Sequence, residues 1–208
     1  MHTDELTLST GDTHQTRQAA AAIASLLRAG DVVSLSGELG AGKTCFVQGA
    51  ARALGVTRRV TSPTFMLVRS YEEADPPVVH CDVYRLDRLH DVLDLGDEVM
   101  AEDVVTFIEW GDAVGALLPD DRLDVEVLLA GDGRGPDAAD AGTTAGAGPT
   151  AGAGTAAGAG TTDAEAADAE AAGQAPRRMR VRGHGTWRQR LPELRTACSR
   201  WLDDDGDR

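Results

Sequence analysis

Apolar residues recur with two different periods along this chain, and the changes of period mark its elements. Residues 5–9 alternate as a short edge strand should. Ala19, Ala22, Ile23, Leu26 and Leu27 then recur at helical spacing on one face. Asp12 precedes them as an N-cap, with Gln15 three residues later in a capping-box-like pair, and Gly30 is expected to close that helix. Residues 31–36 read as a buried strand and residues 44–54 as a helix stopped by Gly55. Pro63 forbids helix in the polar stretch 61–64. Strands are predicted at 65–71 and 78–84, joined by residues 72–77, followed by a short helical stretch around 88–95. A third buried strand spans 104–110, and 123–129 alternates like a half-exposed strand.

The pattern stops at residue 131. The 46 residues 131–176 contain 28 alanines and glycines and no Val, Ile, Leu, Met, Phe, Trp or Tyr. Such a stretch cannot bury enough apolar area to offset the entropy of ordering it, so it reads as a disordered insertion. Residues 178–182 resume as a strand, predicted to pair with 123–129 so that the insertion becomes an overgrown hairpin loop. Closure entropy grows only logarithmically with loop length, which makes such a loop tolerable. Trp187, Leu191, Leu194, Cys198 and Trp201 predict a last helix that Pro192 either kinks or starts. The organisation expected is a core at 1–130, the insertion at 131–176, residues 177–202 completing the same domain, and a solvated acidic tail at 203–208.

Residues 37–44, Gly-Glu-Leu-Gly-Ala-Gly-Lys-Thr, fit the G-x-x-x-x-G-K-[ST] pattern of a phosphate-binding loop, with the required strand before it and helix after it. Lys43 is the only lysine of the chain; the other basic residues are all arginine. A compact ammonium suits a terminal phosphate better than a planar guanidinium fork. Gly40, Ala41, Gly42, Lys43, Thr44 and Cys45 are the residues whose backbone N–H groups would face phosphate oxygens. Thr44 would offer its hydroxyl to magnesium.

Hydrolysis or transfer needs more than binding. Glu109 ends an apolar strand, where nucleotide-binding α/β sheets gather functional side chains, and reads as a metal-bridging acid. His80, Asp82 and Tyr84 alternate on one strand face. Asp82 can orient water there or bind magnesium through water; the plainer reading is a structural Asp–Arg pair with His80 and Tyr84 satisfied in the core. Residues 61–64 read equally as a γ-phosphate-sensing segment or as a turn. A net charge of −14 and a pI near 4.6 argue against extensive direct contact with nucleic acid. There is no run of 18 apolar residues for a membrane span and no signal-peptide pattern at the N-terminus. Cys45, Cys81 and Cys198 are odd in number and widely spaced, consistent with reduced thiols in a cytoplasmic protein.

Together, residues 37–44, Ser62-Pro-Thr-Phe65, His80-Cys-Asp-Val-Tyr-Arg-Leu86, Leu95-Gly96 and Ile108-Glu-Trp110 resemble the bacterial TsaE (YjeE) ATPases, which support threonylcarbamoyladenosine formation next to the anticodon of tRNAs. The resemblance covers residues 5–130 and more weakly 177–202. It implies an α/β P-loop NTPase-type three-layer fold with a mixed, mostly parallel central sheet, and a weak ATPase using ATP and Mg2+. It assigns Lys43, Asp82 and Glu109 to catalysis, Thr44 and Glu109 to magnesium, and Asp12, Trp110 and Gly133 (through a turn matching Gly133-Arg134) to the nucleotide's surroundings. The partners it implies are TsaD and TsaB, with tRNA reached mainly through them. The family usually carries a second threonine where this chain has Cys45. Two other readings of the same loop are a small-molecule kinase and a nucleotide-sensing binding module. A GTPase is disfavoured because no Asn-Lys-x-Asp motif exists.

Overall fold

The structure, a computed structural model, describes residues 5–63, 67–84, 101–130 and 175–203. The predicted helix at 88–95, Gly133 with most of the insertion, and residues 204–208 lie outside the described residues. In chain order the elements are β1 (Glu5–Thr10), α1 (Thr13–Ala24), β2 (Val32–Ser36), α2 (Lys43–Ala53), β3 (Val68–Tyr71), β4 (Val78–Asp82), β5 (Val105–Glu109), β6 (Leu123–Leu129), β7 (Arg177–Gly183) and α3 (Trp187–Ala197). Short 3-10 segments follow β5 at Gly111–Leu117 and α3 at Ser199–Trp201.

The strands form one mixed sheet in the order β1-β7-β6-β2-β5-β4-β3. Its centre, β6-β2-β5-β4, is parallel. β1, β7 and β3 add antiparallel edges. The period-2 alternation decides which side chains meet the helices. Leu6 and Leu8 of β1, Val33 and Leu35 of β2, Val105 and Phe107 of β5, and Met179 and Val181 of β7 join Phe46, Ile23 and Trp187 in the main core. Burying each of the larger of these side chains contributes about 2 kcal/mol. On the opposite face, Val79, Cys81, Ile108, Val114 and Leu118 form a smaller cluster under the 3-10 segment after β5. Beside it that face becomes polar, with cross-strand pairs Arg180–Glu126 and Arg182–Glu5.

Four expectations need correction. α1 ends at Ala24 with Ser25 as its C-cap; Leu26 and Leu27 form a following turn, and Gly30 turns at φ +87° with its N–H donated to the Val104 carbonyl. Pro192 does not start α3, since the helix begins five residues earlier at Trp187 and runs to Ala197. Its missing N–H removes one helical bond, which packing of Trp187, Leu191 and Leu194 outweighs. β4 ends at Asp82, and Tyr84 is exposed. Asp203 is no solvated tail residue, because its carboxylate accepts from Ser9 and pairs with Arg178. β6 and β7 do pair across the insertion, from Leu123 opposite Gly183 to Leu129 opposite Arg177.

Candidate functional site

The glycine-rich segment leaves β2 and turns into α2. Gly37 makes that exit possible: its φ is +126°, and a Cβ there would lie 2.1 Å from the Val127 carbonyl oxygen of β6. Gly42 caps α2 at φ +118° without any side-chain capping bond. The first-turn N–H groups of α2 therefore face outward with the positive end of the helix behind them, an arrangement suited to an anion.

Lys43 is buried at the start of α2. Its Nζ donates to the carbonyls of Gly37 (2.7 Å) and Glu38 (2.9 Å) and lies 3.5 Å from the centre of the Trp110 ring. Burial lowers its pKa from the ordinary lysine value, against the opposing pull of Glu109, Asp82 and Asp112. Trp110 reaches this position because its backbone is left-handed, φ +64°, immediately after β5. Such a conformation is costly for a bulky residue and is maintained here by its surroundings. Tyr84 packs on the outer side of Trp110, with ring centroids 4.7 Å apart.

Parallel pairing of β4 with β5 puts Asp82 opposite Glu109 at the strand ends. Thr44 Oγ1 donates to both Glu109 oxygens, at 2.8 and 3.0 Å. His80 Nε2 lies 2.9 Å from Glu109 Oε1, so the tautomer protonated at Nε2 gives that oxygen a second donor beside Thr44. His80 is fully buried, and its Nδ1 has no hydrogen-bond partner among the described residues. Asp82 accepts from the Ser62 hydroxyl and from the Tyr84 backbone N–H. Residues 61–63 are thus tied to the sheet at the acid beside Glu109.

Asp12 caps α1 as expected, its Oδ1 accepting from the Gln15 N–H at 2.7 Å; the Gln15 side chain reaches the Gly11 N–H, one residue before the cap. The Cys45 thiol turns toward α1, 3.4 Å from the Thr13 carbonyl oxygen, and burial raises its pKa. Its side chain therefore serves the α1–α2 contact.

Two participants were not among the residues singled out by sequence for this site. One is His80 as the partner of Glu109. The other is Arg177, a buried arginine whose Nε donates to the Ala41 carbonyl at 2.9 Å and whose Nη1 donates to the Ala175 carbonyl at 2.7 Å. A Cβ on Gly42 would lie 2.8 Å from that Nε, so the guanidinium packs directly on the turn. The signal available in the sequence was parity: Arg177 shares the inward register of Met179 and Val181.

Lys43, Thr44, Asp82, Glu109 and Trp110 are thus brought together with Gly40, Ala41 and Gly42 of the turn and Cys45 of α2, with Asp12 capping the neighbouring helix. Among the described residues no group of three or more His, Cys, Asp or Glu is arranged to hold a metal by itself. The hydroxyl and carboxylate of Thr44 and Glu109 are hard oxygen donors of the kind magnesium takes, usually alongside phosphate oxygens. No helix among the described residues is long and apolar enough to cross a membrane.

The model of the family described as "Threonylcarbamoyl adenosine biosynthesis protein TsaE" matches residues 10–134. The protein named tRNA threonylcarbamoyladenosine biosynthesis protein TsaE from Bacillus subtilis is 38% identical over 128 residues, covering 62% of this chain and 80% of that one. Its namesake from Streptomyces coelicolor is 46% identical over 108 residues, 50% of this chain and 73% of the relative. The one from Treponema pallidum is 42% identical over 112 residues, 53% and 82%. Among solved structures, Bacillus subtilis YdiB superposes with a TM-score of 0.59 and 26% identity, covering 94% of this chain and 95% of that one. A matched family model spanning more than half the chain, and relatives covered over most of their length, place it: the chain belongs to the TsaE family of tRNA threonylcarbamoyladenosine biosynthesis proteins.

Proposed function

We propose that this protein is a magnesium-dependent ATP hydrolase that supports TsaD and TsaB in forming threonylcarbamoyladenosine next to the anticodon of tRNAs. The observation that carries the reading is the hydrogen-bonded series Thr44–Glu109–His80 at the start of α2, beside the Lys43 ammonium. A hydroxyl, a carboxylate and a buried cation converge there at a helix start that has no side-chain cap.

In this reading the N–H groups of residues 40–45 and the Lys43 ammonium hold the β- and γ-phosphates of ATP. Thr44 and Glu109 would hold magnesium, which supplies neutralisation of charge on the phosphate oxygens. His80 keeps the Glu109 carboxylate oriented. Asp82 positions the attacking water, and the bond from Ser62 to Asp82 lets residues 61–63 respond to what happens at the acid. Trp110 restrains Lys43 through its ring face, a cation–π contact of about 1–2 kcal/mol where water is excluded. Asp12 and Gly133 are proposed to lie near the nucleotide, and TsaD and TsaB to carry most of the contact with tRNA. The work is that of a cytoplasmic enzyme.

Phosphate release from ATP by the purified chain, alone and with TsaD and TsaB, tests the proposal. Slow release that the partners stimulate and Lys43→Ala abolishes supports it. Release unchanged by Lys43→Ala, or no release under any of these conditions, overturns it.

A further inference from the structure

A second groove, of about 290 Å3, lies against the outer side of α1 and α2 and is lined by Arg17, Gln48, Arg52, Arg58 and Arg59. Four arginines around one groove stand out in a chain of net charge −14. All four are exposed, so they are available to a ligand.

Their partners show which charges remain uncompensated. Arg58 is paired with Glu73 at 2.9 Å. Arg17 donates through Nε and Nη2 to the neutral amide oxygen of Gln48, at 3.2 and 3.1 Å. Among the described residues Arg52 reaches only the Thr57 carbonyl, at 3.4 Å. Arg59 makes no hydrogen bond or ion pair among the described residues. Among the described residues, three guanidiniums of the groove therefore have no carboxylate partner. Like charges gathered this way repel one another, and a bound anion offsets that repulsion. A single phosphate is satisfied by one or two guanidinium forks, whereas several separated forks address a chain of phosphates. The acidic remainder of the protein does not forbid this, because its field is screened beyond about 8 Å at physiological salt.

We propose that this groove binds the sugar–phosphate backbone of RNA, without reading bases. The RNA assignment rests on the proposed role in tRNA modification. The net negative charge confines the contact to this groove, so the interaction is limited in extent. The groove is also wired to the candidate site. Gln48, which accepts from Arg17, donates to the Val60 carbonyl at 3.0 Å, two residues before the Ser62 that bonds to Asp82.

The test uses the full chain, a fluorescein-labelled tRNA and no ATP, with anisotropy read from 50 to 200 mM KCl. Arg52→Gln/Arg59→Gln removes two charges that hold no other side chain. The wild type is expected to bind with a log–log salt slope of about −2 to −4, and the double variant to lose about 2 from that slope. Its Kd at 50 mM KCl should rise at least ten-fold, while affinity for a fluorescent ATP analogue and the melting temperature stay unchanged. An unchanged slope and Kd in the variant, or no tRNA binding by the wild type, overturns the proposal. Poly-glutamate binding with no tRNA binding overturns it in favour of an acidic protein partner. Because no turnover is read, loss of the ATPase reading and loss of the groove are separate results: phosphate release can fail while the salt slope still shifts, and the reverse.

Discussion

Gly49→Ala tests how tightly α1 is held on α2, and thus how Asp12 and the start of α2 come to share one site. Helix propensity alone favours alanine over glycine within a helix by about 1 kcal/mol. The contact opposes it. A Cβ at position 49 would lie 2.3 Å from the Arg17 carbonyl oxygen and 2.5 Å from the Arg17 Cα, both backbone atoms of α1. Neither can swing aside as a side chain would, so α1 must move by most of an ångström. Overpacking of this kind costs about 3 kcal/mol, the upper part of its usual range, leaving a net loss of about 2 kcal/mol. For a chain of this length that lowers Tm by about 4–8 °C. Urea titration followed by fluorescence of Trp110, Trp187 and Trp201 reads the change. Gly115→Ala is the control, since nothing lies within 4 Å of its added Cβ, and it should stay within about 0.5 kcal/mol of wild type. A midpoint for Gly49→Ala equal to or above that of wild type would refute the reasoning, because propensity would then have outweighed a contact the structure makes severe.

Glu109→Gln keeps the shape of the acid but removes its charge, and is expected to lower phosphate release about 100-fold or more, as measured with a coupled phosphate assay. His80→Ala leaves Glu109 held by Thr44 alone; the magnesium concentration giving half-maximal rate should rise about ten-fold, and His80→Gln, which keeps a donor, should recover part of it. The third expectation concerns alkaline pH. Burial raises the Cys198 thiol to about 11 from an ordinary 9.0, so the folded state holds a proton that the unfolded chain releases first. That contribution is complete below pH 9 and disappears as pH rises through about 11, a loss of about 3 kcal/mol. Urea midpoints from pH 8 to 11 should fall more steeply for wild type than for Cys198→Ala, and parallel curves would count against it.

What the sequence made legible depended on how far apart the interacting residues stand. The strand–turn–helix around Lys43 is local, and each part carries its own signal of period, glycine or cap. The pairing of β6 with β7 was readable because both segments alternate and flank a stretch without large apolar residues. Asp82 and Glu109 were readable as acids near strand ends, but their adjacency is a matter of register between β4 and β5. The same register decides that His80 bonds to Glu109 instead of merely filling core. Arg177 touches Ala41 from 136 positions away, and no local pattern reports such a contact. Pro192 misled for a different reason: the local penalty is real, and tertiary packing of α3 exceeds it. The arginine groove was hidden by summation, since a net charge averages over the surface on which a ligand sees only its own patch.

The β6–β7 pairing ends with the Ala130 N–H donated to the Pro176 carbonyl at 2.8 Å, which holds the two ends of the intervening stretch side by side. On β1, the strand next to β7, the Asp203 N–H donates to the Thr7 carbonyl at 2.9 Å, and Leu8 bridges to Leu202. The first and the last of the described residues are therefore neighbours on β1. A short linker joining residue 203 to residue 5, with the chain opened between 136 and 172, yields a permuted protein that starts with β7 and finishes with β6 while every strand keeps its neighbours. The order of elements along the chain is in this sense a matter of where the string is cut, and the site at the head of α2 is indifferent to the choice.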